Sequence, residues 1–582
     1  MVSALSGTRR GRRLLVAVAG LAIGISAAVL PAATAGSDPP GQLVQLQLLA
    51  FNDYHGYLEA NSNPGPGNVG ADPAGGGEYL SAKLAELRKG HKYSLTVAAG
   101  DLIGGSPFLS GLFHDEPSVE SLNAMHLDVS SVGNHEFDEG VTELLRMQNG
   151  GCHPIDGCYF PSAPYAGANF KWLAANTIND ATGRTPLPPY WIKRFEGVDV
   201  GFIGMTLEET DTLVAQAGIE GWSFLDEAAT ANALVPELKR QGVEAIVVLL
   251  HEGGSQTPPP GAVNACAGIS GPIVEINGAL DPAIDAVITG HTHLPYNCTL
   301  NGRIVTSAFS FGRVVSEINL VLDKRTEDVR RDLSTAVNHA VIRAQITPDP
   351  AITAVINKWK PLSDVIGNQE VGSITADIRR AFIGTAEDRG SESNLGNMVA
   401  DAQLWATQPN GADIAFMNPG GLRSDLIFAP SGSEAPGVVT YAEAFNVQPF
   451  SNILMTFPMT GSQIVDVLEE QCQPSTASRP FLHLGVSAGL TYDLSKTIVA
   501  GKCTGITVSN VMLNGVALNP TATYDVTVNN FLADGGDNFV TFRTVDPALR
   551  IGGGIDLDEL VNYLGSKGPI APPGTGRVNE LP

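Results

Sequence analysis

From Leu43 to about Leu322, apolar runs of strand length alternate with stretches of helical periodicity, the pattern of layered α/β architecture. Val44, Leu46 and Leu48 alternate with Gln45 and Gln47, and the run then meets Asn52-Asp53-Tyr54-His55-Gly56. Four more apolar runs end in a similar way. Leu95–Ala99 meets Gly100-Asp101, Asp128–Val132 meets Gly133-Asn134-His135-Glu136, Ala245–Leu250 meets His251-Glu252-Gly253, and Ile284–Thr289 meets Gly290-His291-Thr292-His293. Five predicted strands thus deliver Asp, His and Asn at their carboxyl ends, the edge at which open α/β sheets place their sites.

A charged, helix-compatible stretch from Thr326 to Lys360, closed by Pro361, predicts a helical connector over 326–365. The pattern restarts at Val371. Ser393 is placed to cap a helix carrying Leu395, Met398, Val399 and Ala402, while Thr440–Glu443 and Thr460–Gln463 have capping-box form. Tyr524, Val526 and Val528 alternate as a strand. The expected organisation is a first α/β domain over 41–325 and a second over 366–567. The Pro/Gly-rich end, 568–582, is expected as a loosely ordered tail.

A length of 582 residues suits two or three domains, and 43% hydrophobic against 16% charged residues excludes compositional disorder. The formal charge of −25 argues against binding a nucleic-acid polymer or an anionic lipid surface, which need surplus Lys and Arg. Arg9, Arg10, Arg12 and Arg13 precede an apolar run to Leu30, and Ala33-Thr34-Ala35 offers a cleavage site. Residues 1–35 therefore read as an export signal, with an uncleaved anchor as the alternative. Thr8-Arg9-Arg10 loosely resembles a twin-Arg signal. After cleavage no membrane insertion is expected, and the protein should be secreted or extracytoplasmic. Six cysteines fall as neighbours, Cys152 with Cys158, Cys266 with Cys298 and Cys472 with Cys503. Three disulfides are the natural reading in an exported chain; a thiolate metal site competes poorly, since no C-x-x-C occurs.

Asp53, His55, Asp101, Asn134, His251, His291 and His293 supply seven oxygen or imidazole donors and no thiolate. That inventory suits two divalent ions, zinc, manganese or iron, sharing a carboxylate such as Asp101.

Together these motifs resemble the calcineurin-like metallophosphoesterase superfamily. Asn-Asp-Tyr-His-Gly at 52–56 and Gly-Asn-His-Glu-Phe-Asp at 133–138 resemble, within it, the secreted 5′-nucleotidase family, which includes UDP-sugar hydrolases and 2′,3′-cyclic-nucleotide phosphodiesterases. The resemblance implies a four-layer sandwich joined by a helical connector to an α/β substrate-binding domain. It implies one metal on Asp53, His55, Asp101 and His293, and another on Asp101, Asn134, His251 and His291. The last ligand is often Gln or Asn in the family; His293 matches the broader superfamily form. His135 would stabilise charge or protonate the leaving oxygen, with Asp138 holding its ring.

The second half resembles the family too. Arg389 precedes Asn394-Leu395-Gly396-Asn397 as a phosphate-binding Arg does there, and Asn418-Pro419-Gly420-Gly421-Leu422-Arg423 resembles its Asn-Gly-Gly-Gly-x-Arg loop. That implies Asn418 on base or ribose and Arg423 on phosphate; Pro419 departs from the pattern, fixing φ and removing a donor. Phe450 and Phe531 resemble the rings that sandwich the base, and Asp537 the ribose-binding acid. The expected substrate is a nucleotide or related small phosphate ester, cleaved to nucleoside and phosphate. The rivals are a cyclic nucleotide or UDP-sugar in the same site, or a non-catalytic extracellular binding protein.

Overall fold

Strand Leu43–Phe51 pairs in parallel with Ser94–Ala99, Leu48 opposite Leu95, and antiparallel with Val314–Asp323, Leu46 opposite Leu320. Val129–Ser131, Lys171–Leu173, Asp328–Val329 and Thr335–Ala340 complete a seven-stranded sheet. A second sheet has six strands in the spatial order Tyr296–Leu300, Arg303–Ser307, Ile284–Thr289, Ala245–His251, Val198–Thr206 and Tyr190–Phe195. The computed structural model describes residues 42–581 except 63–64, 258–261, 385, 433 and 476; the export signal expected at 1–35 lies outside the described residues.

The two sheets pack face to face through one apolar cluster, with Leu46, Leu48 and Val97 meeting Phe202, Val247 and Leu249. Both central sheets are thus buried on two faces, which is why their parallel strands read as near-continuous apolar runs. Helices Gly77–Arg88, Glu116–Ala124 and Gly140–Asn149 cover the outer face of the first sheet. Helices Glu227–Arg240 and Pro272–Ala279 cover the second, making four layers.

The second half is built on a five-stranded sheet, ordered Gly485–Val486, Ile414–Met417, Thr523–Asn529, Ile453–Thr460, Ile551–Ile555. Ser393 caps helix Asn394–Thr407 through the Gly396 N–H (3.0 Å), and both capping boxes close on Glu443 and Gln463. The three cysteine pairs are bonded as expected from their order.

Two expectations are corrected. Residues 326–349 do not form the expected helix, because Thr335–Ala340 pairs antiparallel with Val314–Asp323, Val337 opposite Glu317. An edge strand with one wet face carries polar residues, and in so short a segment they read equally well as a charged helix. The helix runs Pro350–Gly367, capped by Asp349, and continues through Pro361. Pro361 is exposed, and the buried face of Ile352, Ile356 and Trp359 holds the helix despite the lost bond. The tail is also ordered. Val578–Glu580 adds a parallel strand to Leu490–Val499, and Arg577 grips Asp401 with two 2.8 Å contacts.

Candidate metal centre and substrate cleft

Each ligand-bearing loop leaves its strand through a tight turn, and several ligands are themselves left-handed. Asp53, His55, Asp101, His291 and His293 have φ between 47 and 69°, conformations that β-carbons disfavour. Such strain persists where surrounding packing over-determines the backbone, and it clusters at functional sites. Gly133 has no room for a β-carbon, which would lie 2.2 Å from Asp101 Oδ1.

The structure brings all seven candidate ligands together. His293 Nε2 lies 3.0 Å from Asp53 Oδ1 and 3.3 Å from His55 Nε2. Asp101 Oδ2 lies 2.9 Å from His251 Nε2 and 3.6 Å from His55 Nε2, and so stands between the two groups. Asn134 Oδ1 is 3.1 Å from His291 Nδ1. The outer nitrogens are held: His55 Nδ1 bonds the Gly104 carbonyl and His251 Nδ1 the Ala99 carbonyl, each at 2.7 Å, which aims both Nε2 atoms inward. Burial keeps His55, His291 and His293 well below the usual histidine range, in the neutral form that ligates metals. Buried His251 Nε2 has no hydrogen-bond partner of acceptable geometry, so the donor set fits a bound cation.

His135 sits beside this cluster with Nδ1 2.8 Å from Asp138 Oδ2. Burial alone would lower its pKa, but the Asp138 and Asp101 carboxylates outweigh it and raise it. Its backbone N–H donates to Asp101 Oδ1 at 2.9 Å. Sequence reasoning gave Glu136 no role, yet its buried carboxylate accepts the N–H groups of Asp101, Leu102 and Gly133 and so joins two ligand loops.

A cavity of about 330 Å³ opens over the cluster, lined by Asn134, His135, Asp138 and His291 from the first half. From the second half come Arg389, Asn418, Arg423, Phe450, Phe531 and Asp537, every candidate substrate residue. Asn418 donates to Asp537 Oδ2 (2.8 Å) and accepts from the Asn529 amide (3.1 Å). Arg389 is held by Glu387 at 2.9 Å. Phe450 lies over His135, ring centroids 5.8 Å apart and 14° from parallel, with the Arg423 guanidinium on it at 5.8 Å.

Sequence reasoning missed Arg479, which lines the same cavity. Neighbouring Arg389, then burial, push it down to about 10. Among the described residues neither Arg479 nor Arg423 has a carboxylate within ion-pair distance, whereas Arg380 is taken by Asp425 (3.0 Å) and Glu387 (3.3 Å). The one sequence signal for Arg479 is that it is a cation in a stretch without acids, from Gln471 to Tyr492.

Residues 46–295 match the calcineurin-like phosphoesterase family and residues 366–544 the 5′-nucleotidase C-terminal domain. The chain is 32% identical over 569 residues to cell wall protein Lmo0130 of Listeria monocytogenes, covering 94% of this chain and 70% of that one. It is 33% identical over 548 residues to Endonuclease YhcR of Bacillus subtilis, covering 93% of this chain but spanning 41% of that longer protein. The 5′-nucleotidase precursor of Thermus thermophilus shares the fold, with a TM-score of 0.70 at 23% identity over 92% of this chain and 99% of that one. The strand-end ligands, the cleft between two α/β halves and these matches agree, and the chain belongs to the 5′-nucleotidase family of calcineurin-like, metal-dependent phosphoester hydrolases.

Proposed function

We propose that the protein hydrolyses nucleotides to nucleoside and phosphate outside the cytoplasm, with catalysis in 41–325 and nucleotide recognition in 366–567. The observation that carries this reading is that metal-type side chains, guanidiniums and two aromatic rings meet in one cavity. Asp53, His55, Asp101 and His293 would hold one divalent ion, and Asp101, Asn134, His251 and His291 a second. Such ions polarise phosphoryl oxygens and acidify water.

The chain's own groups account for the rest. Arg389, Arg423 and Arg479 take phosphoryl oxygens, where the two guanidiniums without carboxylate partners among the described residues gain most from an anion. Asp138 favours the protonated form of His135 and fixes Nδ1, leaving Nε2 to pass its proton to the departing oxygen. Phe450 and Phe531 stack the base, while Asn418 and Asp537 bind base or ribose. Three disulfides and the signal-like leader support an oxidising, extracytoplasmic setting. Phosphate release is to be measured across nucleoside 5′-monophosphates, 2′,3′-cyclic nucleotides, UDP-sugars and an aryl phosphate. The highest kcat/KM is expected on a 5′-monophosphate, and equal rates on the aryl ester would refute nucleotide recognition.

A further inference from the structure

His114 and His153 stack face to face outside the seven-ligand cluster, ring centroids 3.7 Å apart and 18° from parallel. Ligand-type atoms of His114, Glu139, Glu143 and His153 all lie within 4.8 Å of one another. We propose that this group is a further divalent transition-metal site, with His114, His153 and Glu139 as donors, Asp156 positioning His114, and Glu143 held behind them by Arg146.

Two imidazoles with carboxylates suit zinc, cobalt, nickel or copper better than calcium or magnesium. His114 Nδ1 meets Glu139 at 2.7 Å, and its other nitrogen, Nε2, meets Asp156 at 2.8 Å. A carboxylate behind a ligating imidazole is the usual orienting partner in metal sites. The local charge also favours a cation. Arg146 is spent on Glu116 and on both oxygens of Glu143, so among the described residues Glu139 and Asp156 face His114 with no Arg or Lys paired to them.

The donors are preorganised. His153 and Asp156 ride a loop closed by the Cys152–Cys158 bond and by reciprocal 3.0 Å hydrogen bonds between His153 and Gly157. His114 and Asp115 are both left-handed, φ 50 and 58°, and the Asp115 carboxylate anchors the turn on Gly104 N (2.8 Å) and Ser110 Oγ (2.6 Å). The rival is a plain ion pair. It explains a protonated His114 between two carboxylates and His153 Nδ1 accepting the Asp156 N–H at 3.1 Å, but leaves His153 Nε2, the nitrogen available to a metal, without a role.

An ion here would tie the turn at His114, the start of helix Gly140–Asn149 and the disulfide loop together. His114 and Glu139 also line the substrate cavity, so the site lies on its rim.

The test uses the full chain, stripped with chelator, reloaded at micromolar free zinc and passed over a desalting column before metal counting by plasma mass spectrometry. Wild type is expected to hold one equivalent more than His153→Ala. Asp156→Asn should retain that equivalent with about 10–100-fold weaker affinity. His153→Gln, compared with wild type for unfolding midpoint in chelator, checks that loss of metal is not loss of fold. Equal metal content in wild type and His153→Ala would overturn the proposal and leave an ion pair only.

Discussion

Glu136→Gln tests whether the ligand loops are positioned by one buried carboxylate. Oε2 accepts the N–H groups of Asp101 (2.9 Å) and Gly133, and Oε1 that of Leu102 (2.8 Å). Burial and the Asp101 charge push Glu136 up to about 7, and the bonds from Gly133 and Leu102 oppose that rise. Gln has the same shape but one acceptor oxygen. With that oxygen in the Oε2 position, the Asp101 and Gly133 bonds survive and the amide sets a donor against the Leu102 N–H. A buried donor left unsatisfied costs about 1–3 kcal/mol. At about 1.4 kcal/mol per decade this is roughly 5- to 150-fold in any equilibrium that depends on the loop. The assay is chelator competition for bound metal beside thermal unfolding of the stripped protein. Weaker metal retention, a lowered midpoint, or both are expected. Wild-type values in both would show that the two loops hold their geometry without Glu136.

Four further outcomes follow, three from the cleft and one from a buried acid. Arg479→Ala should lower kcat/KM on nucleotides by about 10- to 150-fold, the worth of a charged hydrogen bond, with metal content unchanged and Arg479→Lys recovering part; an unaffected KM and kcat would remove Arg479 from the phosphate site. Phe531→Ala should cost about 5- to 150-fold on nucleotides and far less on an aryl phosphate. Phe450→Ala should depress both substrates, because its ring also packs on His135; identical profiles for the two variants would refute the assignment. Asp556 is buried at the start of helix Asp556–Lys567, and burial pushes it from 3.8 up to about 7. Its folded pKa is raised, so its stabilisation is complete below pH of about 4 and is lost as pH rises to about 7. Asp556→Asn should therefore gain unfolding midpoint relative to wild type across that window, and a parallel pH profile would contradict this.

Much of the metal centre is written locally. An apolar run followed at once by Gly-Asp or Gly-His-x-His places each ligand at a strand end, because the strand period and the following turn act over a few residues. Ser393 and the two capping boxes were legible for the same reason, since a cap bonds its own first turn. The sequence alone also determined the cysteine pairs, which are short loops joining chain neighbours.

Tertiary structure decided what depends on distant partners. Thr335–Ala340 looks helical until Val314–Asp323 offers it an edge, and the last strand is ordered by Leu490–Val499 and by the Arg577–Asp401 pair, partners that lie far away along the chain. Arg479 becomes a cleft residue only because the second half folds it next to Arg389, in the cavity that His291 also lines, and no local pattern encodes that approach. His114, Glu139 and His153 are likewise separated in sequence and meet because a turn, a helix start and a disulfide loop converge. Short-range bonding rules act along the chain and can be read from it, whereas convergence depends on how whole layers pack, which is set by the sum of many apolar contacts and by no single motif.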